Sequence, residues 1–137
     1  MGAVFEELLY RNVELSNETA GEHFTPRDVA RLMAELAISP DDDRVTRAGT
    51  HLSIYDPVCG TGGLLSEAAE RIEELNPQTA VTLYGQDVNP ESWAACSSDL
   101  LLKGHSPDTI ALGDIFREDV HEDGRFGLPS RFAAFWY

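Results

Sequence analysis

The stretch Tyr55-Asp56-Pro57-Val58-Cys59-Gly60-Thr61-Gly62-Gly63 leaves the chain few folds to choose from. Leu52 and Ile54 point the same way on a short apolar run that ends at Asp56-Pro57. A glycine-rich turn then opens directly onto the amphipathic segment Leu64 to Leu75. That order predicts strand, tight loop, helix. Glycines at 60, 62 and 63 allow a sharp turn and a close approach to a ligand with no Cβ in the way. The helix that follows presents unpaired N–H groups and a partial positive charge, so a carboxylate or phosphate fits there. The glycine spacing is neither G-x-G-x-x-G nor the run ending in Gly-Lys-Ser/Thr that grips a nucleotide phosphate. The acidic start of the loop narrows the ligand further: Asp56 repels pyrophosphate and suits a molecule carrying an amino group.

Around this centre the chain divides into segments of clear period. Val4-Phe5 and Leu8-Leu9 recur at helical spacing among Glu6, Glu7 and Arg11, which predicts a starting helix whose apolar stripe docks on the rest. Ser16-Asn17-Glu18-Thr19 breaks it. A second helix is expected with Thr25 as N-cap, Pro26 at the first helical position, Asp28 at the positive end, and Val29, Leu32, Met33 and Leu36 as its buried face. It stops before Pro40. Asp41-Asp42-Asp43 reads as a solvated loop and not a metal site, because three consecutive side chains do not converge on one ion.

Beyond the glycine loop, Leu64, Leu65, Ala68, Ala69, Ile72 and Leu75 line one helix face, with Glu67, Glu70, Arg71, Glu73 and Glu74 opposite. Asn76-Pro77 ends that helix, and Val81 to Asp87 reads as a second strand. Asn89 and Pro90 open a helix from Glu91 to Lys103 that turns Trp93, Ala94, Leu100 and Leu101 inward, and Gly104 closes it. A short strand, Thr109 to Leu112, leads to Gly113-Asp114. A helix followed by β-α-β-α-β predicts an α/β fold with a parallel sheet and right-handed crossovers, binding its ligands beyond the carboxyl ends of the strands.

Composition sets limits on function. At 137 residues one domain is expected, and no window approaches the roughly 20 apolar residues of a membrane span. The first residues have neither the basic start nor the apolar stretch of a secretory leader. Cys59 and Cys96 are not spaced as a metal pair, so they are read as structural free thiols in a reducing cytoplasm. The net charge is -14, with ten Lys and Arg against twenty-four acids, and such a chain does not grip DNA unaided. A basic surface for DNA has to lie on another segment or a partner subunit.

Asp56, Asp87 and Asp114 each close one predicted strand, so all three are expected in one crevice at the top of the sheet. Singly, an acid at a strand end is more often a turn residue or a helix cap. Together with the glycine loop they suit a ligand that is part nucleoside and part amino acid. Asp87 is placed to accept both ribose hydroxyls, Asp114 to accept from an adenine amino group, and Val88, Ile115 or Phe116 to sandwich the base. S-adenosylmethionine (AdoMet) has all three parts. A dehydrogenase using NAD is disfavoured by the glycine spacing.

Gly21-Glu22-His23-Phe24-Thr25-Pro26, then Asp56 to Gly63, Tyr84-Gly85-Gln86-Asp87-Val88-Asn89-Pro90 and Gly113-Asp114 make the chain similar to the modification subunits of type I restriction-modification systems. These are AdoMet-dependent DNA adenine-N6 methyltransferases. The four motifs keep the order of that class, and the likeness runs from about Val4 to Phe116. It implies a partial Rossmann-like AdoMet-dependent methyltransferase fold with an N-terminal helical segment. It also implies roles: Thr25 and Pro26 flank the methionine part of the cofactor, Asp56, Gly60, Thr61 and Gly62 form the loop around its amino and carboxylate groups, Asp87 holds the ribose, and Asp114 reads the adenine. His23 is read as a loop residue.

In that family the target adenine is flipped from the duplex and its amino nitrogen attacks the methyl group directly, so Cys59 has no nucleophilic role. An Asn/Asp-Pro-Pro-aromatic motif positions the base, and no such motif follows Gly113-Asp114 here. Phe126 fits the start of the strand that carries it, but Pro129 interrupts the continuation. The expectation is a truncated or frameshifted piece: an N-terminal helical segment over 1–20, the AdoMet-binding part over 21–126 and a divergent tail over 127–137. DNA is then met through a full complex with specificity and restriction subunits. The alternative is a non-catalytic remnant or cofactor-binding module. Phe132, Phe135, Trp136 and Tyr137 are expected to cover a bare sheet edge or to promote self-association.

Overall fold

The computed structural model describes residues 25–39 and 42–124 together with Val4, Glu7, Leu8 and Arg11. Strands β1 (His51–Asp56), β2 (Ala80–Asp87) and β3 (Ile110–Leu112) form one parallel sheet in the order β1-β2-β3. Helix α1 (Arg27–Ile38) and the single turn α2 (Asp42–Val45) precede the sheet. Helix α3 (Gly63–Leu75) joins β1 to β2, and α4 (Pro90–Leu102) with a 3-10 turn (Pro107–Thr109) joins β2 to β3. The strand order never reverses, so two right-handed crossovers place their helices on the same face.

The register decides which face that is. Leu52 lies beside Val81, Ile54 beside Leu83 and Gly85 beside Ile110, and neighbours in a parallel ladder share a face. Leu52, Ile54, Leu83 and Ile110 are buried in one cluster with Leu65, Ala68 and Ile72 of α3, Cys96 and Leu100 of α4, and Ala34, Ala37 and Ile38 of α1. Each fully enclosed Leu or Ile contributes about 1.5–3 kcal/mol by leaving water. The opposite face carries Tyr55, Tyr84 and Gln86. The segment after β3 meets it there, with the His121 ring edge-on to Tyr55 at 5.4 Å and to Tyr84 at 5.3 Å between centroids. No helix among the described residues is long and apolar enough to cross a membrane.

Several local expectations are corrected. The N-cap of α1 is Pro26 and not Thr25: Pro26 has an extended ψ of 138°, and its carbonyl accepts the Val29 and Ala30 N–H groups. The buried face of α1 is Ala30, Ala34, Ala37 and Ile38, whereas Val29, Leu32 and Leu36 are exposed and Met33 is only partly covered. Small side chains let α1 lie close against α3, and charges lock the pair: Arg27 Nε stands 2.7 Å from Glu67 Oε1 and Arg71 Nε 3.0 Å from Glu35 Oε2. Glu67, expected in solvent, is thereby buried. The inward face of α4 is Ser92, Cys96, Asp99 and Leu100, while Ala94 and Leu101 face solvent. Asp99 is admitted there because Ser66 Oγ and Lys103 Nζ each reach its Oδ2 at 2.8 Å. Trp93 is half-buried, and its indole N–H donates to the Ile110 carbonyl.

The acidic run also departs from a simple loop, because α2 begins within it and buries Val45. At the start of the chain Val4, Glu7, Leu8 and Arg11 are helical, with Arg11 bonded to Glu7 at 2.9 Å, but Val4 and Leu8 stay exposed. Residues 16–19, 21–24 and 125–137 lie outside the described residues, and with them the expectations for His23, the tail aromatics and the divergent end.

Candidate functional site

The sheet staggers its three terminal acids like steps. Asp56 pairs with Gly85, so Asp87 stands two residues further along β2; Asp87 pairs with Leu112, so Asp114 stands two residues further again. At about 3.3 Å per residue, the step from Asp56 to Asp87 is roughly 7 Å. Register puts Asp56 and Asp87 on the face that carries the helices, since neighbours in a parallel ladder and residues two apart on a strand share a face, while Asp114 lies two residues past the end of β3.

Asp87 is the joint of the site. Its Oδ2 accepts the Gly60 N–H at 2.8 Å and its Oδ1 the Asn89 N–H at 2.8 Å. One carboxylate therefore ties the glycine loop to the entry of α4. Asn89 caps that helix through the Glu91 and Ser92 N–H groups. Within the loop, the Cys59 N–H donates to the Gln86 carbonyl at 3.0 Å, and the Gly62 N–H to the Cys59 carbonyl at 2.8 Å.

Gly60 and Gly62 both have positive φ, 54° and 83°, but their surroundings differ. A Cβ on Gly60 meets nothing within 4 Å, whereas one on Gly62 lands 2.6 Å from Cys96 Sγ. Gly60 thus has an open side and Gly62 a closed one. Thr61 lies between them, half-buried. Gly62 is the N-cap of α3 and offers no side chain, so the amides opening that helix are free to serve a ligand. Cys59 and Cys96 are buried and free, and the neighbouring Cys96 thiol together with burial pushes the Cys59 thiol far up, away from the reactive thiolate.

Asp56 is 1% exposed and turns back into the loop, where Oδ1 accepts the Val58 N–H at 3.1 Å. Burial pushes its pKa up to about 6, with the Asp87 charge adding to the rise and the Val58 hydrogen bond opposing it. The carboxylate expected to face a ligand is therefore first a brace for the loop.

Asp114 belongs to a second unit. Its Oδ1 accepts the Phe116 N–H at 3.0 Å, its carbonyl accepts the Arg117 and Glu118 N–H groups, and Arg117 Nε lies 3.5 Å from Oδ2. The two units join where the Gly113 N–H meets the Asp87 carbonyl at 2.9 Å. Ile115 is half-buried, while Val88 and Phe116 stand exposed, Phe116 at 82%. Thr25 and Pro26 form a third unit at the start of α1, held to α3 by the Arg27–Glu67 bond. Gln86, Tyr55 and Asp119 were not singled out from the sequence, although a glutamine in the alternation of an apolar strand was the available signal. Among the described residues no group of His, Cys, Asp and Glu is arranged to hold a metal ion.

The model of the N-6 DNA Methylase family matches residues 1–128. The methylase subunit of the MjaIX type I restriction enzyme of Methanocaldococcus jannaschii is 28% identical over 126 residues, covering 91% of this chain and 20% of that protein. The type II methyltransferase M.MamI of Microbacterium ammoniaphilum is 32% identical, covering 83% of this chain and 33% of its own. Among solved structures, the type I restriction-modification methyltransferase subunit of Streptococcus thermophilus superposes with a TM-score of 0.67 at 25% identity, covering 91% of this chain and 25% of that one. A Listeria monocytogenes structure shares the fold at a TM-score of 0.64 and 19% identity, covering 85% of this chain and 35% of its own. The chain spans about a fifth to a third of the length of these relatives. With the family's pattern running through all three strands and the loop they carry, the chain belongs to the N-6 DNA methylase family.

Proposed function

We propose that this chain is the AdoMet-binding portion of a DNA adenine-N6 methyltransferase of the type I restriction-modification kind, with the cofactor lying along the steps from the glycine loop to Asp114. The observation that carries the reading is half-buried Asp87, whose carboxylate oxygens each accept one backbone N–H and each have capacity for a second hydrogen bond. Two ribose hydroxyls need two such acceptors. The amides opening α3 suit the carboxylate of the methionine part. Asp56, buried at the start of the same loop and charged above pH 6, favours an ammonium near it. Thr25 and Pro26 flank that same end. Asp114 accepts from the adenine amino group, with Val88 and Ile115 against the base and Phe116 exposed beside them.

When bound, AdoMet supplies an electrophilic methyl group on a sulfonium centre. The described residues orient it and leave no nucleophile of their own in the path, since the Cys59 thiol is buried and protonated. DNA, with its target base, is met in a larger complex with specificity and restriction subunits, because a net charge of -14 opposes direct binding to phosphate. The buried free thiols agree with a cytoplasmic setting. The second reading is a cofactor-binding module without transfer activity of its own.

Isothermal titration separates the possibilities. Saturable AdoMet binding with no NAD binding is expected, and no heat at millimolar AdoMet removes the cofactor assignment. A methyl-transfer assay on duplex DNA, run with and without added subunits, then distinguishes a catalytic portion from a binding module.

A further inference from the structure

We propose that Gln86 is a positioning residue: its buried carboxamide sets the turn that carries Asp114 against the adenine, while its backbone sets the glycine loop. The inference rests on the reading above, that the site takes AdoMet and that Asp114 meets the base. Gln86 sits between Gly85 and Asp87 on β2 and is 0% exposed. Its side chain points to the sheet face opposite Asp87, away from the proposed ligand. A buried carboxamide is costly unless both of its ends are bonded. Here Nε2 donates to the Glu118 carbonyl at 2.8 Å, and Oε1 accepts the Val120 N–H at 3.1 Å. The side chain binds a passing segment as a neighbouring strand would, with one donor and one acceptor.

That segment leads straight back to Asp114. The Asp114 carbonyl accepts the Glu118 N–H at 3.0 Å, so Gln86 and Asp114 are linked through a single residue. The Tyr55 hydroxyl supplies a second fastening, donating to Asp119 Oδ1 at 2.7 Å. On the other side, the Gln86 carbonyl accepts the Cys59 N–H at 3.0 Å. One residue therefore holds both walls of the crevice, the loop through its main chain and the Asp114 turn through its side chain.

The test measures discrimination and not affinity alone. Wild-type chain is titrated with S-adenosylhomocysteine and with its inosine counterpart, in which the adenine amino group is replaced by oxygen. A hydrogen bond to a charged acceptor predicts a preference for the adenosine ligand on the order of tenfold or more. In Gln86→Leu that preference is expected to fall below about threefold, because Asp114 is no longer held in place, while ribose-dependent binding persists. Tyr55→Phe, which deletes one hydroxyl and keeps the packing, is expected to lower it partway, and it carries the test if Gln86→Leu does not fold. A purely structural role weakens both ligands equally and leaves the ratio intact, and an unchanged ratio in folded variants overturns the proposal. Wild-type chain that binds both ligands without preference overturns it too, by removing Asp114 from the adenine. Wild-type chain that binds neither ligand points to a different failure, that of the cofactor assignment, and the positioning role falls with it.

Discussion

Both walls of the crevice are tied by hydrogen bonds, but they differ in what backs them. The glycine loop after β1 is braced from behind by apolar and sulfur packing: Gly62 rests on Cys96, Gly85 on Cys59, and Asp56 is sealed beneath. The turn after β3 is braced by polar fastenings instead, Gln86 and Tyr55 on one side of it and Phe116 exposed on the other. Packing resists displacement in every direction, whereas hydrogen bonds fix a position only while their partners stay in place. The first wall is therefore expected to be formed before ligand arrives, and the second to be the one that a ligand or a substitution shifts.

Gly62→Ala breaks the packed wall most severely. The residue would hold a left-handed backbone at φ 83° and press its Cβ 2.6 Å from Cys96 Sγ. Left-handed strain of about 1–2 kcal/mol and overpacking of about 1–3 kcal/mol together predict a loss of roughly 2–5 kcal/mol in urea unfolding. Adding Cys96→Ala to Gly62→Ala should recover part of that loss, because it removes the clash and not the strain. Gly60→Ala carries strain alone, since its Cβ meets open space, and should cost only about 1–2 kcal/mol. Equal losses at the two glycines would contradict the asymmetry described for the loop.

Asp56 sets stability against binding. Its pKa in the folded chain, about 6, lies above the ordinary 3.8, so between those values the folded state binds the proton more readily than the unfolded one. Stability then falls as pH rises through that window, and above pH 6 the fold carries a penalty of about 3 kcal/mol. Asp56→Asn keeps an oxygen for the Val58 N–H and removes the ionisation. Thermal or urea unfolding should show the variant up to about 3 kcal/mol more stable at pH 7–8 and no more stable below pH 4. AdoMet binding should weaken in the same variant, and in the wild type should fall as pH drops below 6. A variant that is no more stable at neutral pH would show that the buried charge is already compensated within the loop.

The packed wall was the more legible of the two in the sequence. Asp56-Pro57 and the glycines mark a strand end and a positive-φ turn whatever surrounds them, because backbone sterics are local. The strand and helix order followed from hydrophobic period together with the proline, asparagine and glycine stops between segments. Which face of a helix goes inward did not, because α1 carries two apolar stripes: the larger, Val29, Leu32 and Leu36, looks like the core, yet the alanines make closer contact with α3. The inward face of α4 was obscured in the same way, since Asp99 is buried only by virtue of Ser66 and Lys103, one of them on another helix. The roles of Gln86 and Tyr55 depend on partners 32 and 64 residues away, and no local pattern announces a pairing of that range.

Tyr55→Phe tests the fastened wall at its smallest scale. The hydroxyl donates to Asp119 Oδ1 at 2.7 Å, and burial together with the nearby Asp119 charge pushes the phenol pKa well above its usual value, so the proton stays on the oxygen at any working pH. Removing it should cost about 1.5–2 kcal/mol, the low end for a hydrogen bond to a charged acceptor. Asp119 Oδ1 also accepts the His121 N–H at 2.9 Å, so the carboxylate is not stranded when the hydroxyl goes. That leaves the edge-on contact of Tyr55 with His121 in place and confines the loss to one fastening. Amide hydrogen exchange should register the change at Glu118 to His121, with little at Cys59 to Gly62. Exchange that rises equally in both places would mean that the walls move as one body, and the contrast between packed and fastened would dissolve.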